Sequence, residues 1–513
     1  MKKVSRRNFI KAGAMAGAAM GTPSIAQAGL FNKIYRSSSK ALVVGSGFGG
    51  SVASLRLAEA GIPTMLIERG KHWKYVGEDS YPVVGDAPWN LSDEFLWIEP
   101  NSVTGGSVGM LQEYAEHSMP VGVGACLGGG SMVYGGVLLQ PRREIFEAAL
   151  PFLSYDDMDK VYYPRLLSRV SGGPIPDDIL DSPNYTAMRS FIENATRAGM
   201  EVVRSEVGFN WDIIREEVQG KRTPFASIGE YVLGCNSGAK NTLDRNYLVD
   251  AVATGNLDIR TLHNVKRVRR KPWSSNYEVY CDVLNEQGAI IATHIIECQY
   301  LFMAAGSIHT TRLMLKAKAM GDIRGLNDGV GEGWAGNGDE LMGQRESNYP
   351  TGPVQGGPPS IAAFDLENPY KPTGFMHSPA LNLLKQGTQL QMGMVVPDQT
   401  SRASYNWLTD GINFNYSRDA NQTAHNALIY SMEKLVSTGG GSVVDMSSVG
   451  TWHPLGGMPM NMACDQLGRV YGAPNLFVVD GSCIPGSSGA ANPSLTIGAN
   501  AERMMEALVP QLV

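Results

Sequence analysis

Apolar positions along this chain come in short blocks divided by glycine-rich breaks, and the first block carries the most information. Lys40 to Val44 reads as a buried strand, Gly49 to Ala60 sets small and apolar residues at helical spacing, Gly61 can end that helix, and Pro63 to Ile67 reads as a second strand. Strand, helix and strand in this order predict a β-α-β unit. From about Pro151 to Tyr247 short helical patterns alternate with Pro and Gly, which predicts an insertion outside the first sheet. Strand patterns return at Asp258 to Val268, in the alternating set Tyr277, Val279, Cys281 and Val283, and at Ile290 to Ile296. Gly325 to Pro379 is rich in Gly, Asn and Pro and reads as a long irregular loop shaping a site or a lid. The last block joins Leu476 to Val479, a Gly/Ser/Asn loop up to Pro493, and a C-terminal helix through Ala499 to Leu508.

Composition narrows the class. The chain has 513 residues, enough for two or three domains, and only 18% of them are charged, which excludes disorder for the bulk of it. A net charge of −6 with no long basic run argues against nucleic acid as a partner. Its 60 glycines are about 12% of the chain against a usual level of roughly 7%. Without a collagen-like period they belong in turns and beside a ligand. Six cysteines without a CxxC pair argue against a zinc site, so no metal is expected; one or two disulfides remain open for an exported chain.

The N-terminus has the order of a secretory signal, residues 1–28: Lys2, Lys3, Arg6 and Arg7, then an Ala/Gly/Met run from Ala12 to Met20, then Ala26-Gln27-Ala28. Ser5-Arg6-Arg7-Asn8-Phe9-Ile10-Lys11 resembles a twin-arginine signal, which exports folded proteins to the periplasm or the medium. No later segment is long and apolar enough to suggest a transmembrane helix, which leaves only transient contact with a membrane surface open.

Gly45-Ser46-Gly47-Phe48-Gly49-Gly50 fits G-x-G-x-x-G right after the first strand and at the opening of the helix. Gly45 turns the chain, Gly47 lets a pyrophosphate approach the helix N-terminus, and Gly50 permits close helix-to-strand packing. Glu68, at the end of the second strand, can accept hydrogen bonds from ribose hydroxyls and disfavours a 2′-phosphate. NAD and FAD both use such a unit.

Further stretches decide between them. Gly128-Gly129-Gly130-Ser131-Met132-Val133 with Gly135-Gly136, Ala305-Gly306-Ser307-Ile308-His309-Thr310-Thr311-Arg312-Leu313, Trp452-His453-Pro454-Leu455-Gly456-Gly457, and Val479-Asp480-Gly481-Ser482 leading to Asn492-Pro493 resemble the glucose-methanol-choline (GMC) oxidoreductases. The likeness is collinear from about residue 38 onward, includes Val330-Gly331-Glu332-Gly333-Trp334 with Asn337-Gly338, and is nearest to the cholesterol-oxidase group. It implies an α/β fold: a discontinuous Rossmann-like FAD-binding domain (36–150, 250–325 and 450–513) and a substrate domain (151–249 and 326–449) whose mixed or antiparallel sheet covers the flavin. It implies non-covalent FAD, held by the Gly45–Gly50 loop including Phe48, by Glu68, Gly130 and Tyr134, by the main chain at Val265, and by Asp480, Gly481, Asn492 and Pro493.

Alcohol oxidation needs a group to take the hydroxyl proton while a hydride leaves the carbinol carbon, and a neutral imidazole does this near neutral pH. Among eight histidines the resemblance assigns that role to His453, with Asn492 holding the same oxygen. His309, His117 and His377 read as structural or loop residues. The implied reaction converts a 3β-hydroxysteroid to a ketone, with oxygen reduced to hydrogen peroxide. The alternatives are a GMC dehydrogenase for another alcohol passing electrons to a quinone or cytochrome, and a flavin-binding protein without turnover. Three departures stand out. Tyr134 replaces the family's usual Asn, Ala125 replaces a basic residue, and no acid occurs between Glu367 and Asp398, where Gln386 falls near the family's isomerising glutamate. Isomerase activity is therefore in doubt, with His377 the one nearby substitute.

Overall fold

The computed structural model describes residues 33–83, 95–103, 105–114, 119–379 and 387–513. The signal sequence, His117, Gln386 and the apolar stretch Ala380 to Leu384 lie outside the described residues.

The β-α-β unit forms as strand Lys33–Val44, helix Phe48–Glu59 and strand Thr64–Ile67. Its first strand is seven residues longer at the N-terminal end than the apolar pattern indicates, because the polar half pairs in parallel with Ile290–Met303. Gly61, at φ +73°, takes the left-handed position after the helix end. The sheet around this unit has seven strands. In order they are Leu257–Arg260, Thr64–Ile67, Lys33–Val44, Ile290–Met303, Tyr277–Leu284 and His263–Arg270, and Leu476–Val478 pairs with the far half of Ile290–Met303. Ile290–Met303 belongs to two structures at once. Its first half closes an antiparallel meander with Tyr277–Leu284, while its second half sits in the parallel core. Two helices pack beside this sheet and against each other, Phe48–Glu59 and the C-terminal helix Pro493–Leu508.

The second sheet corrects the expectation of a long loop over Gly325 to Pro379. That stretch contains the strands Glu340–Arg345, Ile361–Asp365 and Thr373–His377. With Gln389–Val395, Ser442–Asp445 and Glu201–Arg204 they make a six-stranded sheet, antiparallel at every pairing. Ile361–Asp365 and Thr373–His377 are buried at every position. A strand covered on both faces needs no alternation of apolar and polar residues, so the period that marks a strand in sequence is missing.

What covers the two faces follows from side-chain alternation. On one face Phe375, Ile361, Ala363 and Met342 pack with Phe191 of helix Thr186–Arg197 and with Leu428, Met432 and Leu435 of helix Gln422–Gly439. On the other, Ala362, Phe364, Met376, Met392 and Met394 pack with Val137, Leu139, Ala490 and Ala491. The second face therefore looks at the loop that leads into Asn492. Among the described residues no helix is long and apolar enough to cross a membrane.

Candidate active site

The nucleotide end of the site is built from two glycine loops packed backbone to backbone. Gly45 has φ +101°, and a Cβ there would meet the Ala304 carbonyl oxygen at 2.3 Å. A Cβ on Gly50 would stand 1.9 Å from the Gly45 oxygen, so this residue type follows from the close packing of helix on turn. The second loop lies against the first: Ser46 Oγ donates to Glu68 Oε2 at 2.7 Å and accepts from the Gly128 N–H at 3.0 Å. Glu68, buried, also accepts from the N–H groups of Ser46 and Gly70, both at 3.1 Å. Its carboxylate thus holds the turn, and Oε1, with a single donor, keeps acceptor capacity for a ribose hydroxyl.

Gly47 and Gly130 differ from their neighbours in that a Cβ on either would meet nothing within 4 Å, although each sits in a packed loop. Both line a trough at the N-terminus of helix Phe48–Glu59, which has no side-chain cap and no acid in its first turn. Free N–H groups, a positive helix end and missing side chains make an anion site fit for a pyrophosphate. Phe48, the first helical residue, meets the ring of Tyr134 edge-on at 5.8 Å. Val265 lies at the bulge of His263–Arg270, where the register shifts between Val265 and Arg267, and this frees main-chain groups from the ladder.

Asp480 does its visible work within the protein. Oδ2 accepts from the Gly306 N–H at 2.8 Å and Thr310 Oγ at 2.6 Å, while Oδ1 accepts from the Ser482 N–H at 2.9 Å and Ser482 Oγ at 2.5 Å. It pins the start of helix Gly306–Ala319 to the turn at Gly481. Burial is the larger influence on it and raises its carboxyl above the usual aspartate range against those hydrogen bonds.

At the other end of the candidate site, His453 and Asn492 come together across 39 positions of sequence: Asn492 Nδ2 lies 3.4 Å from His453 Nε2. Asn492 precedes the C-terminal helix, whose first residue is Pro493, and its Oδ1 is buried without a protein partner. Proline suits that first position, where no N–H is needed. The far side of the imidazole faces Asp339, a residue that sequence reading passed over. Asp339 Oδ2 stands 2.7 Å from His453 Nδ1. The approach is slanted, so Nδ1 has no aligned hydrogen bond. The Asp339 side chain is fully buried and also accepts from Thr451 Oγ1 at 2.7 Å, and Thr451 Oγ1 in turn accepts from the His453 N–H at 2.9 Å. The one sequence signal for Asp339 was its place just after Asn337-Gly338.

Two other histidines sit elsewhere. His309 is buried against Gln112 and Tyr114, and burial pushes its imidazole far below the ordinary range. His377 follows Phe375 on the helix-covered face and lies 5.5 Å from the ring of Phe191, whereas Met376 faces the loop before Asn492. It points away from His453, so it cannot stand in for the missing glutamate.

Residues 39–322 and 403–501 match the N- and C-terminal parts of the GMC oxidoreductase family, and residues 3–23 match the twin-arginine translocation signal. The chain belongs to the GMC oxidoreductases and is an FAD-dependent oxidoreductase acting on alcohol groups. Its relatives include cholesterol oxidase of Mycobacterium tuberculosis (strain CDC 1551 / Oshkosh), 26% identical with 90% of this chain and 89% of that one covered. They also include paromamine 6′-oxidase of Streptomyces fradiae, 24% identical with 92% and 91% covered. Among solved structures a fungal aryl-alcohol oxidase aligns with a TM-score of 0.65 at 14% identity, over 92% of this chain and 99% of that one. This likeness shows the fold. The signal marks the chain for export.

Proposed function

We propose that this protein oxidises an alcohol carried on an apolar skeleton, a sterol or a long-chain alcohol, and passes the electrons to oxygen with release of hydrogen peroxide. Residues 36–150, 250–325 and 450–513 form its FAD-binding domain, and residues 151–249 and 326–449 its substrate domain. FAD, when bound, supplies the two-electron hydride acceptor. Gly47 and Gly130 give its pyrophosphate room, Glu68 holds the ribose, and the main chain at Val265, Gly481 and Pro493 approaches the rest.

The observation that carries the reading is the convergence of His453 Nε2 and Asn492 Nδ2 on one point. An alcohol oxygen placed there donates its proton to Nε2 and accepts a hydrogen bond from Nδ2. This fixes the carbinol carbon while its hydride departs. Asn492 Oδ1, buried and unpaired, helps hold the amide in one orientation once a donor meets it. The apolar choice of substrate rests on the likeness to cholesterol oxidase over 90% of this chain.

The test is anaerobic. Purified protein with bound FAD is mixed with cholesterol, hexadecanol, benzyl alcohol and glucose in turn, and flavin bleaching is timed. Cholesterol or hexadecanol is expected to bleach fastest; glucose alone doing so would end the apolar reading. On readmission of air, stoichiometric peroxide is expected from an oxidase, and its absence would instead indicate a dehydrogenase.

A further inference from the structure

The segment Asn337–Asp339 meets His453 on one side and the loop that ends in Asn492 on the other. Asn337, fully buried and in the left-handed region at φ +60°, donates from Nδ2 to the Ala491 carbonyl at 2.9 Å. Its Oδ1 accepts from the Ser488 N–H at 2.9 Å and Ser488 Oγ at 3.1 Å. The loop that ends in Asn492 is thereby fixed to Asn337. Two residues on, Asp339 meets His453 Nδ1 and anchors Thr451, which holds the His453 main chain. One turn of chain at the entrance to strand Glu340–Arg345 therefore sets the spacing between an imidazole and an amide that belong to two distant stretches of sequence.

We propose that Asp339 is the positioning residue of the reaction: its carboxylate selects the His453 tautomer with the proton on Nδ1, leaves the Nε2 lone pair aimed at the alcohol, and stabilises the imidazolium formed when Nε2 takes the hydroxyl proton. This inference rests on His453 being the base. The physical logic is that a neutral imidazole carries one proton, and whichever nitrogen faces an acceptor-only carboxylate keeps it. The donors around Asp339 are spent on it: Thr451 Oγ1 donates to Oδ2 at 2.7 Å, and Asn337 Nδ2 donates to Oδ1 at 3.4 Å. The next residue supplies an internal comparison. Glu340 Oε2 pairs with His425 Nδ1 at 2.7 Å at the start of helix Gln422–Gly439, on the opposite face of the sheet.

The experiment is a double-mutant cycle on the FAD-loaded enzyme, reading the anaerobic rate of flavin bleaching by cholesterol, or by hexadecanol if cholesterol is not turned over. Asp339→Asn is expected to lower the limiting rate on the order of 10²-fold or more with little change in the half-saturating alcohol concentration, because orientation of the base and not binding is lost. In a His453→Ala background the same change is expected to cost no more than about twofold, since the two residues act as one unit. Glu340→Gln is expected to keep the parent rate. Equal losses from Asp339→Asn in both backgrounds, or an equal loss from Glu340→Gln, would overturn the inference. A His453→Ala protein with undiminished rate would instead remove the base itself, and with it the reading on which this one depends. A measurement free of substrate and of folding defects uses nitrogen NMR of the histidine-labelled parent, with His453 assigned by its loss in His453→Ala. A protonated Nδ1 and bare Nε2 are expected, and the reverse tautomer would refute the role.

Discussion

Gly47 and Gly129 meet where the two glycine loops stack, so closely that a Cβ on Gly129 would stand 2.7 Å from the Gly47 Cα, while a Cβ on Gly47 would point into open space. The two residues are glycine for different reasons, and substitution separates them. Gly129→Ala forces a side chain into backbone at φ +53° and ψ −132° and is expected to destabilise the fold, with roughly 1–3 kcal/mol coming from the strained backbone conformation alone. Gly47→Ala is expected to fold, melting where the flavin-stripped parent melts, and yet to emerge without yellow colour. Flavin absorbance per protein, read beside a thermal melt, checks both, and full flavin content in Gly47→Ala would show that the trough holds something else.

Lys240 gives stability a pH dependence of known sign. It is buried, with Nζ donating to the carbonyls of Met132 at 3.2 Å and Val232 at 2.8 Å, and burial pushes it down to about 7. A lysine depressed when folded binds its proton more readily when the chain unfolds, so stability rises with pH from about 7 toward the unfolded value near 10.4. Between those limits the parent is expected to gain up to about 1.4 kcal/mol per pH unit relative to Lys240→Met. Urea unfolding of both proteins at several pH values measures the gap, and a gap constant across this window would show that Lys240 is charged in the fold.

The side chains of His377 and Gln391 lie opposite each other on adjacent strands, and all four of their nitrogen and oxygen side-chain atoms are buried without a protein partner. Burial pushes His377 down to about 3, so it is neutral. Unpaired buried polar groups cost about 1–3 kcal/mol each, and removing both members of such a pair relieves that cost. The double variant His377→Leu/Gln391→Leu is expected to melt at a higher temperature with unaltered flavin bleaching. A lower melting temperature would mean that the pair is satisfied in solution.

All six cysteines, Cys126, Cys235, Cys281, Cys298, Cys464 and Cys483, are buried free thiols. This settles the question that composition left open and agrees with the signal, because a chain exported folded forms its core in a reducing compartment. Native protein is expected to react hardly at all with a thiol reagent and to expose six thiols in denaturant, with or without reductant. Fewer than six without reductant would reveal a disulfide.

The contrast between the two sheets explains what sequence could and could not give. The turn at Gly45–Gly50 was legible because strand, glycines and helix are contiguous and each glycine answers a local steric demand. Ile361–Asp365 and Thr373–His377 were read as loop because total burial erased their alternation and the surrounding Gly and Pro looked like irregular chain. His453 and Asn492 were found only through likeness to a family. Asp339 was missed since its partner Thr451 lies 112 positions away and no local pattern announces an acid that faces backward into a site. Glu68 and Asp480 were named for the cofactor by position, while the partners the structure gives them, Ser46, Gly306 and Thr310, lie within the protein.

Glu502 lies at the middle of the C-terminal helix, fully buried, and takes both Arg56 Nε at 2.7 Å and Arg56 Nη2 at 2.8 Å as well as Tyr247 OH at 2.7 Å. The helix begun by the first glycine loop is thus locked to the helix begun by Asn492 and Pro493. The glycine turn near residue 45 therefore waits, as the chain is made, for a brace that emerges 446 positions after Arg56.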